Sequence, residues 1–264
     1  MAKQKGVIKL KGTTQGVCYY KLNGKYIARK ASGPSKERIN TDPAFANVKA
    51  NNQEFAAAVL LSKAIRTGLG EITKQFKDTY MASRLTGVCR LIIQQGRGEQ
   101  GKREANLLNQ PNKLIGFELN KSNPFKQIYT APIKIEHNTG SRAITITVPK
   151  SSEANLKRKP KKATHFKLTG AVSCVSVYQW QNNSAAYKPL EPHWDTLGEL
   201  CHTKPLQTNK QHQHIQIKLQ MPMAKAMPSL AAITVWTGIT FGTVIEDKFE
   251  AIETSKAMQC LTIL

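Results

Sequence analysis

Acidic residues are scarce in this chain. Of its 264 residues, 17 are Asp or Glu against 39 Lys or Arg, which leaves a formal charge of +22 and a pI near 9.9. So few carboxylates leave little material for paired acid–base chemistry. The C-terminal supply (Glu191, Asp195, Glu199, Glu246, Asp247, Glu250 and Glu253) falls mostly in loop or surface patterns. The signatures G-x-S-x-G, H-E-x-x-H and G-x-x-x-x-G-K-[ST] do not occur, which removes three common routes to hydrolysis and phosphoryl transfer. No apolar run reaches the length of a membrane helix, and the opening MAKQKGVIKLKG lacks the continuous hydrophobic segment of a secretory leader. Cysteine is sparse and odd in number: Cys18, Cys89, Cys174, Cys201 and Cys260 are widely spaced, as small buried side chains in a reducing compartment would be. These absences lead to the expectation of a non-enzymatic cytoplasmic protein with no cofactor and no membrane segment. The length suffices to bury a core without staples.

The basic excess is unevenly placed. Residues 1–40 carry ten basic residues and one acidic, 41–103 ten and five, 104–170 twelve and four, and 171–264 seven of each. Such localised charge suits a polyanion, because every phosphate neutralised releases counterions. Solubility is the plainer use of the same charge.

The stretch Val7–Lys30 holds the most local information. Asn23-Gly24 sits between two alternating runs, and a type I′ turn needs two residues at positive φ, so a β-hairpin is predicted. A two-residue turn pairs Leu22 with Lys25, Tyr20 with Ile27 and Cys18 with Arg29 on one face, which reads as core. The other face takes Lys21–Tyr26, Tyr19–Ala28 and Val17–Lys30. Rings flanked by cations suit bases beside phosphates, although a tyrosine pair is more often covered by the next element.

Gly33-Pro34 places a loop over 31–41, and Asp42 with Pro43 starts a helix whose apolar steps are Phe45, Val48, Phe55, Val59, Ser62 and Ile65. Gly68 and Gly70 end it. A second helical stripe runs through Ile72, Phe76, Tyr80, Val88 and Leu91 or Ile92, giving an antiparallel helix pair packed on the sheet. From Leu114 the pattern changes to short strands: 114–119, 128–136, 143–149, 164–176, 214–221, 231–245 and 260–264, broken at Pro124, Asn138-Gly140, Pro149 and Pro222. Trp236 lies in a run that is partly apolar on both faces, so that strand is expected to be central or buried at an interface. The fold class is therefore α+β, with an N-terminal β-hairpin and helix pair (residues 1–112) and a C-terminal, jelly-roll-like β-sandwich (residues 113–264). The two regions can also be one continuous domain.

Two constellations call for a test. Gly96-Arg-Gly-Glu-Gln-Gly101 has the G-x-G-x-x-G spacing, with Glu118 about twenty residues beyond. The preceding residues continue a helical stripe rather than a strand, so an inter-element loop is the better reading. His212 and His214, with Cys201 and His202 upstream, match no familiar zinc spacing, and an exposed polar strand explains them.

Gly12-Thr13, Gly16-Val17, Tyr19-Tyr20-Lys21 and Gly24-Lys25-Tyr26 through Ala28-Arg29-Lys30 form a recognisable motif. With Thr41-Asp42-Pro43 to Phe45, Asn51 to Phe55, Ala163-Thr164-His165-Phe166 and Gly238 to Phe241, they make the chain resemble a family of uncharacterised bacterial proteins. The resemblance implies a bacterial cytoplasmic setting and one shared architecture, with no activity or site residues to carry over.

From charge, then, the expected function is binding of nucleic acid, DNA or RNA, or another polyanion by a structural protein that self-assembles into a homo-oligomer, as a filament or shell. Phosphate contacts are expected from Lys21, Lys25, Arg29, Lys30, Lys36 and Arg38, and from Lys157, Arg158, Lys159, Lys161 and Lys162 of a polybasic loop, with Tyr19 and Tyr26 as stacking groups. A self-assembling scaffold without nucleic acid is the alternative, with the edges of 214–221 and 260–264 pairing across subunits.

Overall fold

Four short strands, β1 (Ala2–Lys3), β2 (Gly12–Thr14), β3 (Val17–Leu22) and β4 (Lys25–Lys30), form an antiparallel sheet in the order β1-β4-β3-β2. The hairpin at its centre follows from its turn: Asn23 and Gly24 sit at φ 48° and 79°, and the register is the one that a two-residue loop dictates, from Leu22↔Lys25 to Val17↔Lys30. The structure, a computed structural model, describes residues 2–31, 33–138, 143–221 and 228–264. The breaks expected at Gly140 and Pro222 lie outside the described residues.

The chain divides into two compact units, residues 1–49 and 50–264. In the small unit the expected core face of the hairpin is only partly closed. Ile27 is buried, Cys18 and Tyr20 are half-buried, and Leu22 is 47% exposed. A sheet this short has too little apolar surface to cover either face fully. The segment expected as a loop over 31–41 contains a helix, α1 (Lys36–Thr41), because the Ser35 hydroxyl accepts the Arg38 N–H (3.1 Å) and caps it. Asp42 then caps a single 3₁₀ turn at Pro43–Phe45 before helix α2 (Ala46–Leu69) begins.

The buried face of α2 is built from Ala57, Ala58, Leu61, Ser62, Ala64, Ile65 and Leu69, whereas Val48, Phe55 and Val59 are 40%, 50% and 39% exposed. Ser62 and Ile65 of the stripe read from the sequence lie on this face, but small Ala57, Ala58 and Ala64, with Leu61 and Leu69, complete the contact in place of Val48, Phe55 and Val59. The second helical stretch is two helices, α3 (Ile72–Phe76) and α4 (Met81–Ile93), parted where the Asp78 carboxylate accepts the Tyr80 N–H (2.9 Å). Met81, Leu85, Cys89, Ile92 and Ile93 are the buried stripe of α4, and Leu91 faces outward at 49% exposure.

After α5 (Phe125–Ile128) come β5 (Lys134–Asn138), β6 (Ala143–Ser151), β7 (His165–Ser176), β8 (Tyr178–Gln181), β9 (Ala186–Pro189), β10 (Gly198–His202), β11 (Leu206–Gln207), β12 (His212–Gln220), β13 (Ala231–Ile245) and β14 (Lys248–Ile263). All pairs are antiparallel. The main sheet has the order β10-β7-β13-β14, with β11 also on β7. A second sheet runs β12-β6-β5, and β8-β9 is a separate hairpin. Period-two alternation along β7 and β13 gives the main sheet two apolar faces. Ala171, Val175, Ala232 and Trp236 join the helices in one core, and Leu107 and Leu114, on either side of residue 112, share it. Phe166, Leu168, Val172, Ile233, Val235 and Phe241 join Ile144, Ile146, Ile217 and Leu219 of the second sheet in another. The larger unit is thus three layers, helices on sheet on sheet, in an α+β fold. Trp236 is fully buried on the central strand β13, as expected, with its indole N–H donating to Thr234 Oγ1 (2.9 Å).

Candidate nucleic-acid interface

In the small unit, alternation on the hairpin divides the expected cations between two faces. Lys21 and Lys30 share a face with half-buried Tyr19 and Tyr26, and Lys25 and Arg29 point to the opposite one. The four charges are exposed. Tyr26 is not a bare stacking ring. The Lys21 and Lys9 ammonium groups lie 5.5 and 5.9 Å from its centroid. Arg29 lies 5.7 Å from the Tyr20 ring on the other face. Lys36 is exposed at the start of α1. Arg38 is engaged within the chain, ion-paired to Asp42 (3.3 Å) with its guanidinium 5.3 Å from the Phe45 ring.

In the larger unit, the polybasic run is a pinned loop, where its charge alone suggests a free one. Buried Leu156 bridges Tyr129, the Lys157 N–H donates to the Ile128 carbonyl (2.9 Å), and the Ser255 hydroxyl donates to the Arg158 carbonyl (3.4 Å). The Ala163 N–H closes the loop on the Pro160 carbonyl (2.9 Å). Lys159 turns back onto Glu153 and is half-buried, whereas Lys157, Arg158, Lys161 and Lys162 are exposed. A rigid backbone holding four solvated cations loses less entropy on meeting phosphates than a free chain does. Beside the base of this loop is a cleft of ≈ 430 Å³ walled by Phe125, Tyr129, Ala131, Ile133, Gln259 and Leu261, with Lys126 at its rim.

The Gly96–Gly101 loop follows α4 rather than a strand, and its glycines have packing reasons. A Cβ on Gly96 would lie 2.2 Å from the Glu104 carbonyl, and one on Gly101 (φ 93°) would lie 2.9 Å from Ala50 Cα. The buried Glu54 carboxylate accepts the Gly101 N–H (2.8 Å) and pairs with Arg103 (3.4 Å), while Tyr187 OH donates to the Gly101 and Arg103 carbonyls (3.0 Å each). The loop is thereby clamped to α2.

Among the described residues, no three His, Cys, Asp or Glu side chains come together as a metal would need. His202 and His212 are occupied instead with Thr169 (2.9 Å) and the Gln207 carbonyl (2.8 Å). Burial pushes the Cys89 and Cys174 thiols up to about 12, and it raises Cys260 further. Burial also raises Glu118 to about 7, although the Phe125 N–H donates to its Oε1 (3.0 Å). Asp195 accepts from Tyr178 OH and the Ser176 N–H, and burial raises its carboxyl above the usual range. The sequence placed these three cysteines among small buried side chains. It set Asp195 among the C-terminal carboxylates that fall mostly in loop or surface patterns and named Glu118 only beside the G-x-G-x-x-G spacing, because the burial of a carboxyl is a tertiary property. Sequence reasoning also missed Lys9, although the residue lies within the stretch that begins at Val7.

No helix among the described residues is long and apolar enough to cross a membrane. Comparison with known proteins finds no matching family model, no matching curated protein and no matching solved structure.

Proposed function

We propose that this chain is a non-enzymatic structural protein that binds nucleic acid or another polyanion and assembles with copies of itself. The observation carrying this reading is the pinned loop after Leu156. Lys157, Arg158, Lys161 and Lys162 stand exposed on a fixed backbone with no acidic partner among the described ion pairs, and only Lys159 is neutralised. The hairpin offers further exposed cations on its two faces, Lys21 and Lys30 on one and Lys25 and Arg29 on the other, and Lys36 is exposed at the start of α1. A bacterial cytoplasmic setting belongs to the proposal through the resemblance of the N-terminal motif. So does a jelly-roll-like body, since two antiparallel sheets facing one another over an apolar core is the layering that shell subunits use.

A scaffold that assembles without nucleic acid is the second reading. It is favoured by Phe55 and Val59, half-exposed along α2, and by β12, an outer strand of its sheet. The other edge invoked for it is closed: Cys260 accepts from the Gly116 N–H (2.9 Å) and donates to the Phe117 carbonyl (3.0 Å) on the side away from β13. A 260 to 280 nm absorbance ratio on natively purified protein, with imaging before and after nuclease, separates the two readings. Assemblies that survive nuclease with no 260 nm excess support the scaffold. For the first reading, oligonucleotide affinity must fall with salt, and changing the four loop cations to Gln reduces the log–log slope by about 0.9 for each duplex phosphate that is no longer neutralised. Salt-independent binding refutes it.

A further inference from the structure

Ahead of the hairpin, residues 5–10 form a closed loop whose neck is tied by Gln4. The Gln4 backbone N–H donates to the Tyr26 carbonyl (3.0 Å), continuing the β1–β4 ladder. Its side-chain amide donates to the carbonyls of Leu10 and Ile27 (3.2 Å each), and its Oε1 accepts the Leu10 N–H (2.8 Å). The Lys9 ammonium donates to the Gln4 carbonyl (2.8 Å) while lying over Tyr26. The tip of this tied loop is apolar and bare: Val7 is 100% exposed and Ile8 82%.

The surroundings of the tip are basic. Because Lys3 pairs with Ile27 in the antiparallel β1–β4 ladder, the chain leaves β1 toward Lys25 and the Asn23-Gly24 turn. Lys5, Lys9, Lys21 and Lys25, all exposed, therefore stand at the same end of the sheet as Val7 and Ile8, and no acidic residue precedes Glu37. A partner that matches this surface is anionic at its rim and apolar within. A stacked base step between two phosphate backbones has that character.

We propose that Val7 and Ile8 act as a wedge that enters a base step of duplex DNA and bends it, with Lys5, Lys9, Lys21 and Lys25 on the flanking phosphates. The wedge rests on the polyanion reading of this unit and specifies the substrate. Saturated, branched side chains have no π-face on which an unpaired base stacks, but they fill the gap left when paired bases part. The ring best placed to stack, Tyr26, lies under two lysines. Pyrimidine–purine steps, which unstack most readily, are the preferred points of entry.

The test uses the full chain and a short DNA duplex labelled at both ends, read by energy transfer for bending and by anisotropy for affinity. The wild-type chain shortens the end-to-end distance on binding. Val7→Ala with Ile8→Ala, at positions that bury little, keeps the melting temperature and the salt slope, abolishes the shortening and weakens binding about tenfold. Duplex bound tightly but left straight, or bent equally by the double variant, overturns the wedge while leaving polyanion binding intact. Failure to bind any nucleic acid in low salt overturns the parent reading, and the wedge with it. Vesicles of phosphatidylcholine with phosphatidylserine are the control for a lipid surface. Sedimentation with them that depends on Val7 and Ile8, alongside unbent DNA, assigns the tip to membrane and overturns the proposal.

Discussion

Adding one methyl group at Gly198 tests the packing of helix on sheet in the larger unit. Gly198 opens β10, and an ideal Cβ there would stand 1.8 Å from the Gly68 carbonyl oxygen, 2.6 Å from the Gly68 carbonyl carbon and 2.9 Å from the Val172 oxygen. All three obstacles are backbone, so no rotamer change relieves them. The last turn of α2 must move away by about 1.5 Å to restore ordinary contact, and a gap of that size forfeits much of the dispersion energy of the atoms lining it. Leu61, Ile65 and Leu69 share the core with Ala171 and Val175, so the loss spreads along the layer. Overpacking typically costs about 1–3 kcal/mol, and because backbone rather than a side chain must shift, Gly198→Ala belongs at about 3 kcal/mol. For a chain of this size that lowers Tm by roughly 6–12 °C. Gly87, exposed in the middle of α4 with nothing within 4 Å of its Cβ position, is the internal control. Gly87→Ala stabilises by about 0.5–1 kcal/mol, because it removes only unfolded-state freedom. Thermal and urea melts followed by circular dichroism measure both. A Gly198→Ala protein that melts with the wild type would refute the close approach of α2 and β10.

Three further outcomes are expected. Glu54→Ala leaves the Gly101 N–H and Arg103 without their shared partner, lowers stability by about 3–5 kcal/mol and speeds tryptic cleavage at Arg97 and Lys102; unchanged melting and cleavage would show that the clamp is dispensable. Burial lifts Glu118 from 4.5 to about 7, so the folded chain holds that proton more tightly than the unfolded one. Its contribution to stability is full below pH 4.5 and is lost as pH rises through 7. Wild-type protein therefore melts lower at pH 8 than at pH 5 by a margin that Glu118→Gln narrows, and an equal margin in the variant would contradict this assignment. A thiol titration of the native protein reaches half-buried Cys18 and Cys201 first, while Cys89, Cys174 and Cys260 react only on unfolding; five equal rates would refute that order.

What could be read directly was local. The hairpin register follows from Asn23-Gly24, since two residues at positive φ leave one way to align the strands. The span of β13 was legible because it is apolar on both faces, which only a covered central strand allows. Strands β8 to β11 were not, because strands of two to five residues are too short to carry a periodic signal. The buried face of α2 was read only in part, through Ser62 and Ile65, for a related reason. Hydrophobicity ranks Phe55 and Val59 above Ala57 and Ala64, but the close fit to the sheet rewards the smaller side chains.

Composition and local pattern set the amount of positive charge, where along the chain it lies and the turn that builds the hairpin, because a residue count and a two-residue loop need no distant partner. Which charges remain available was settled by folding alone. Arg38 and Lys159 are taken up by Asp42 and Glu153, and Tyr26 lies beneath Lys9 and Lys21, while four cations of a pinned loop stay in solvent. A side chain's partner is set by which distant segments the fold brings within a few ångströms, and neither charge count nor periodicity along a chain contains that distance.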